Sequence, residues 1–101
     1  MRMYEILFSK AVEEELAEVR PYERMRILDA IDEQLLHEPE VLTRNRKMLT
    51  HFVPTFDADP PVWELRVGNH RVFYDVDARE REVYVRAVRH KPPHRTTEES
   101  L

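Results

Sequence analysis

The stretch from Val62 to Val76, VWELRVGNHRVFYDV, constrains the fold more than any other part of the chain. It holds two apolar-alternating runs separated by Gly68-Asn69. Glycine at the first of two central positions, between strand-like flanks, marks a two-residue hairpin of the II′ kind. Such a loop sets Val67 opposite His70 and Arg66 opposite Arg71. A four-residue loop from Val67 to His70 opposes the same two arginines. Successive strand residues alternate faces. Trp63, Leu65 and Val67 then share one face with His70, Val72 and Tyr74, and Glu64 and Arg66 share the other with Arg71 and Phe73. Like charges directly across a strand pair repel. Either Glu64 or Asp75 neutralises the arginines locally, or two guanidiniums are kept for an anion, which their fixed fork of donors suits. On an open sheet face Arg71 adds little to the core, so its removal is expected to spare folding.

A chain of 101 residues can build one domain with one modest core. With 42% hydrophobic and 36% charged residues it belongs among folded chains rather than disordered ones. No apolar run is long enough for a transmembrane helix, so no membrane partner is expected. MRMYEILF is too short for the apolar core of a signal peptide. The sequence has no cysteine, which excludes disulfide and thiolate chemistry and fits a cytoplasmic location. The net charge of −4 is uneven: residues 1–40 carry 11 acidic and 5 basic side chains, residues 41–101 carry 9 and 11. That distribution favours a local anion site over a broad nucleic-acid-binding face.

Met3 to Phe8 reads as a strand with Tyr4, Ile6 and Phe8 on one face, followed by Ser9 as a helix cap. A first helix is expected over 10–20, with Val12, Leu16 and Val19 as its apolar stripe and Glu13, Glu14, Glu15 and Glu18 towards water. Pro21 suits the first turn of a second helix over 21–36, with Tyr22, Met25, Leu28, Ile31 and Leu35 on its buried side. His37-Glu38-Pro39 ends it. Val41 to Pro61 is irregular and reads as a short helix and a loop. Strands are expected at 62–67, 70–76 and 82–88, the last with Val83, Val85 and Ala87 alternating against Tyr84, Arg86 and Val88. The tail, residues 92–101, is polar and expected to be extended or disordered, which leaves 1–91 as the single domain. The order β-α-α-β-β-β describes an α+β fold: a helical hairpin packed on a small, mainly antiparallel sheet.

This order resembles the RelE/ParE superfamily of bacterial type II toxins. The residues that carry the likeness are Leu65-Arg66-Val67-Gly68, Arg71-Val72-Phe73-Tyr74 and Val85-Arg86-Ala87-Val88, with Thr43 to Lys47 (TRNRK) upstream of Trp63-Glu64-Leu65-Arg66. The resemblance spans roughly residues 3–91. It implies a compact fold with a twisted sheet, and a cognate small antitoxin that wraps the toxin. Alone, such a chain is expected as a monomer or weak homodimer. The RelE branch resembles ribosome-dependent mRNA endonucleases, whose partners are mRNA and the ribosome. The ParE branch resembles inhibitors of DNA gyrase with no catalysis of their own. The nuclease is the family-level default; the alternatives are a gyrase-binding toxin or a degenerate homologue that only binds its antitoxin. The resemblance makes Arg71 the arginine that contacts the scissile phosphate, with Arg66 the basic residue after the leucine and Lys91 near the basic residue that follows the last strand. RelE proper also has two lysines ahead of the Leu-Arg pair, where this chain has Val62 and Glu64, and a late tyrosine, whereas no tyrosine follows Tyr84. In another branch a tail histidine and a glutamate take part; His90, His94 and Glu64 stand at such places.

Metal-free RNA cleavage needs a base for the 2′-hydroxyl, a cation for the phosphorane charge and an acid for the leaving oxygen. Arginine stabilises charge but does not give up its proton, so Arg71, with Arg66 beside it, is the candidate stabiliser. Histidine titrates near neutrality, which makes His90 a candidate acid or base, with Glu64 another if desolvated. His94 is more simply a solvated tail residue, and His37 and His51 are incidental. Arg44, Arg46 and Lys47 form the densest basic group: either they contact an RNA backbone or they are cations suited to a helix end. Trp63 and Tyr74 read as core. No metal motif such as HExxH occurs, and no cofactor is called for.

Overall fold

The computed structural model describes residues 3–91; the tail beyond Lys91, with His94, lies outside the described residues. The chain opens with β1 (Glu5–Phe8), α1 (Lys10–Ala17) and α2 (Pro21–Leu35). The Ser9 hydroxyl accepts from the Val12 amide at 3.1 Å, satisfying a donor that the start of α1 leaves open. Pro21 sits in the first turn of α2, where no helical partner exists for an N–H. Val12 and Leu16 of α1 are buried, as are Ile27, Ile31 and Leu35 of α2. Tyr22 and Met25, expected on the buried side, are instead 79% and 59% exposed. At 3.6 residues per turn, each step of three residues falls about 60° short of a full turn. Three such steps carry Tyr22 to the side opposite Ile31, whereas the stripe that packs advances by four.

Four more strands follow: β2 (Arg46–Met48), β3 (Trp63–Val67), β4 (His70–Asp77) and β5 (Glu82–His90). They form one sheet in the order β1-β5-β4-β3-β2, with β1 parallel to β5 and the other neighbours antiparallel. Strand β2 replaces the helix expected after Val41. Nothing in TRNRK alternates; pairing with β3, Lys47 opposite Glu64 and Met48 opposite Trp63, makes it a strand. The hairpin matches the expected register, Val67 opposite His70 and Arg66 opposite Arg71, and Gly68 adopts φ +58.

Strand β5 breaks simple alternation. Phe73 pairs with Ala87 but Tyr74 with Val85, so Arg86 is an extra residue. A bulge of this kind reverses the faces of everything beyond it. Val83, Val85 and Val88 therefore pack against the helices, while Ala87 turns to the other side. This corrects the expected pairing of Ala87 with Val83 and Val85.

The second side of the sheet is also closed. The segment from Leu49 to Val62 crosses it as a strap, and Phe52, Phe56 and Ala58 pack on buried Phe73 and Ala87. Among the described residues no helix is long and apolar enough to cross a membrane. Where the strap meets the bulge, buried Asp75 accepts from Arg86 Nε at 2.7 Å, from Arg86 Nη2 at 3.2 Å and from the Asp59 amide at 3.0 Å. Asp75→Ala leaves a largely buried guanidinium with only the exposed Asp59 carboxylate, 3.4 Å away, as a partner. The expected loss is about 3 kcal/mol, or roughly 15 °C in melting temperature for a domain of this size. Thermal denaturation followed by circular dichroism checks it, and an unchanged melting point would refute the role assigned to the pair.

Candidate functional site

Three arginines lie in a row across the sheet. Arg66 of β3 opposes Arg71 of β4, which opposes Arg89 of β5. Only Arg66 is exposed. Arg71 is 8% exposed, and its Nη1 donates to the carbonyls of Gly68 and His70, both at 2.9 Å. Its Nε lies 3.8 Å from Glu64 Oε1, an ion-pair distance too long for a hydrogen bond, and has no hydrogen-bond partner. Burial, and then the charge of Arg66, lower the Arg71 pKa from its ordinary value, against the opposing pull of Glu64. The expected open face is thus corrected: Arg71 and Glu64 are buried together, and Glu64 is the local neutraliser. Asp75 pairs with Arg86 instead.

Arg89 was placed beyond the last strand by the sequence pattern, yet it belongs to β5. It pairs with Glu15 of α1 and its guanidinium lies over the Phe56 ring, 5.8 Å from the centroid. Glu15 also accepts from the Val88 amide at 2.9 Å. Strand β1 ends at the level of Val85, so the Glu15 carboxylate serves the strand edge that β1 no longer covers. Glu15, expected towards water, is a half-buried edge partner. Running β5 two residues further opposite the hairpin would have revealed Arg89.

His90 opposes His70, their rings 5.4 Å apart and nearly perpendicular. This pair follows Val72 and Val88 on the helical side of the sheet, in a small cavity with Glu23, Arg26 and Asn69. His90 and Arg71 therefore occupy opposite faces. Burial lowers the His70 pKa; Glu23 opposes this, while His90, Arg26 and Arg71 add to it. The Lys91 amide donates to the Asn69 carbonyl at 2.7 Å, tying the end of β5 to the hairpin loop.

The basic group upstream divides. Arg44 and Lys47 are exposed, but Arg46 is buried. Its Nη1 donates to the carbonyls of Gln34, at 2.7 Å, and Glu38, and its Nε to Thr43 Oγ1 at 3.3 Å. A cation at the end of α2 satisfies carbonyls that the helix cannot. Trp63 and Tyr74 are core, as expected, with rings 6.4 Å apart. Beside α2 a groove of about 780 Å³ is lined by Tyr22, Met25, Arg26, Asp29, Arg66 and Gly68. A Cβ on Gly68 would meet Arg26 Nη1 at 3.1 Å, so that guanidinium fits because glycine makes the turn. Among the described residues no group of three or more His, Asp or Glu is arranged to hold a metal ion.

A family model described as the ParE toxin of type II toxin-antitoxin systems (parDE) matches residues 6–91. The toxin-antitoxin complex RelBE2 from Mycobacterium tuberculosis contains a chain 20% identical, with a TM-score of 0.71 over 88% of this chain and 99% of that one. A chain of the archaeal RelE-RelB complex from Pyrococcus horikoshii OT3 is 22% identical, with a TM-score of 0.67 over 92% of this chain and 98% of that one. No curated protein matches. The likeness to the two solved structures is one of fold.

Two expectations follow from the site. Arg71→Ala leaves Glu64 without that neighbouring charge and two hairpin carbonyls without their donor, so it is expected to cost about 2 kcal/mol. A melting curve indistinguishable from the parent would refute it. His70 has a lowered folded pKa. Below its unfolded value, near 6.5, the unfolded chain takes up a proton that the folded chain resists. Its contribution is therefore full above that pH and is lost as pH falls. His70→Asn should shrink the drop in melting temperature between pH 7.5 and 5.5; an equal drop in both proteins would contradict this.

Proposed function

The chain belongs to the ParE toxin family of type II toxin-antitoxin systems, and on that premise we propose that it acts by binding its target, DNA gyrase, rather than by cutting RNA. One observation carries the choice: the groups that cleavage would require do not converge. Arg71 is held by hairpin carbonyls beneath the strap side, His90 is on the helical side, and Glu64 is buried against Arg71. An acid or base on the opposite face of the sheet from the charge-stabilising cation is poorly placed to share one phosphodiester with it.

A cognate antitoxin is part of the proposal. Both solved relatives are toxin-antitoxin complexes. The groove beside α2 suits an amphipathic segment: Tyr22 and Met25 offer exposed apolar anchors, and Arg26 and Arg66 offer cations. A second reading, ribosome-dependent mRNA cleavage, draws on the row Arg66, Arg71 and Arg89, with Arg44 and Lys47 at the exposed edge and Lys91 at the end of β5.

Two assays on the purified chain decide between them. Gyrase supercoiling is expected to be inhibited while mRNA in a translating extract stays intact. Cleaved mRNA with unimpaired supercoiling would reverse the assignment. In that case Arg71→Ala should lose on the order of 10²–10³ in cleavage rate per folded molecule, and Arg71→Lys should recover only part, since a point charge lacks the guanidinium fork.

A further inference from the structure

The strap is the least buried covering in the fold, and its contacts describe a ligand. From residue 50 to 61 no residue is buried, and exposed and half-buried positions alternate from His51 to Asp59. That is the pattern of an extended peptide laid on a surface, although no strand forms here. The Leu49 amide donates to the Val62 carbonyl at 2.9 Å, clasping the two ends together. His51 takes a left-handed backbone, φ +57, at the first bend. Phe52 stacks on Phe73 at 5.9 Å and 5°, and Phe56 tilts against the same ring at 5.7 Å. Arg89 lies over Phe56, and the Asp59 carboxylate, 90% exposed, reaches Arg86 Nη2 at 3.4 Å. Val53, between the two rings, is 86% exposed.

We infer that this face of the sheet is a peptide-binding face held closed by its own strap. The partner is an extended segment of another protein with two aromatic side chains four residues apart and carboxylates just after the second. Its rings replace Phe52 and Phe56 on Phe73, and its carboxylate replaces Asp59 at Arg86. The strap lifts as a loop clasped at Leu49 and Val62, as thinly anchored coverings open without global unfolding. A peptide suits the face better than a nucleic acid. Buried Asp75 accepts a backbone N–H from the strap, a contact that a peptide reproduces and a phosphate would repel. The inference does not depend on which target the toxin inhibits.

The test uses the full chain carrying Phe52→Ala and Phe56→Ala, with a labelled peptide of residues 50–61, THFVPTFDADPP, as the probe. The variant should bind the peptide roughly tenfold or more tightly than the parent, because the parent's tethered strap competes at high effective concentration. Alanine at both peptide phenylalanines should abolish binding. Equal affinity for variant and parent overturns the inference, as does binding of an oligouridine but not of the peptide. If the double variant is unfolded by circular dichroism, Phe52→Ala alone takes its place. Unfolding of that variant also overturns the inference, since the strap would then be an indispensable part of the core.

Discussion

The sheet is organised around β4, which is buried from both sides. Val72 and Tyr74 lie under the helices, Phe73 and Asp75 under the strap, and all four are buried. A strand of this kind cannot sit at the surface of a two-layer fold, because half its side chains would face water. Its central place in the sheet order follows, with β3 and β5 on either flank. The second cover follows too: helices serve one face, and 14 residues without regular structure serve the other. The bulge at Arg86 belongs to the same arrangement, since it lets β5 present Val83 and Val85 to the helices and Ala87 to the strap.

Double burial also decides what the charged residues can do. Among the described residues Arg46, Glu64, Arg71 and Asp75 are buried, and charge is kept in such places only when paired or hydrogen-bonded. Arg46 ends α2, Arg71 braces the hairpin beside Glu64, and Asp75 joins the strap to the bulge through Arg86. Arg46 and Asp75 join parts that no backbone ladder links, the end of α2 to β2 and the strap to β4, whereas Arg71 and Glu64 brace a hairpin that is already laddered. A sequence dense in arginine thus shows fewer free cations than its composition suggests.

Much of this could be read from the sequence. The hairpin register followed from Gly68 and the alternation around it, and Ser9 and Pro21 announced the helix starts. The readings that failed share a cause. Strand β2 has no local pattern and exists through its neighbour. The bulge at Arg86 leaves no mark in an alternating run, because Ala87 and Val88 are both apolar and either could face inward. The loop expected before Val62 is there, but its packing is not legible in the sequence: Phe52 and Phe56 find a role only once Phe73 is known to point away from the helices. Charge was the hardest to read, since exposed and buried arginines look alike in one dimension.

The two faces of the sheet underlie the choice proposed above between two kinds of toxin that one fold can host. Catalysis on a phosphodiester needs acid, base and cation gathered on one side within a few ångströms. Here strand alternation sends Arg71 and Glu64 one way and His70 and His90 the other, and the bulge that would allow a late strand residue to change sides comes before Arg89 and His90 rather than between them. Moving His90 to the side of Arg71 would need another one-residue shift beyond Arg89, which the hairpin register and the Lys91 bond to Asn69 oppose. Binding asks for less. It needs exposed anchors held on rigid elements, and Tyr22 and Met25 on α2, left outside the core by the geometry of the helix, meet that need. The same stripe of isoleucines that fixes α2 to the sheet therefore sets which of its residues remain available to a partner.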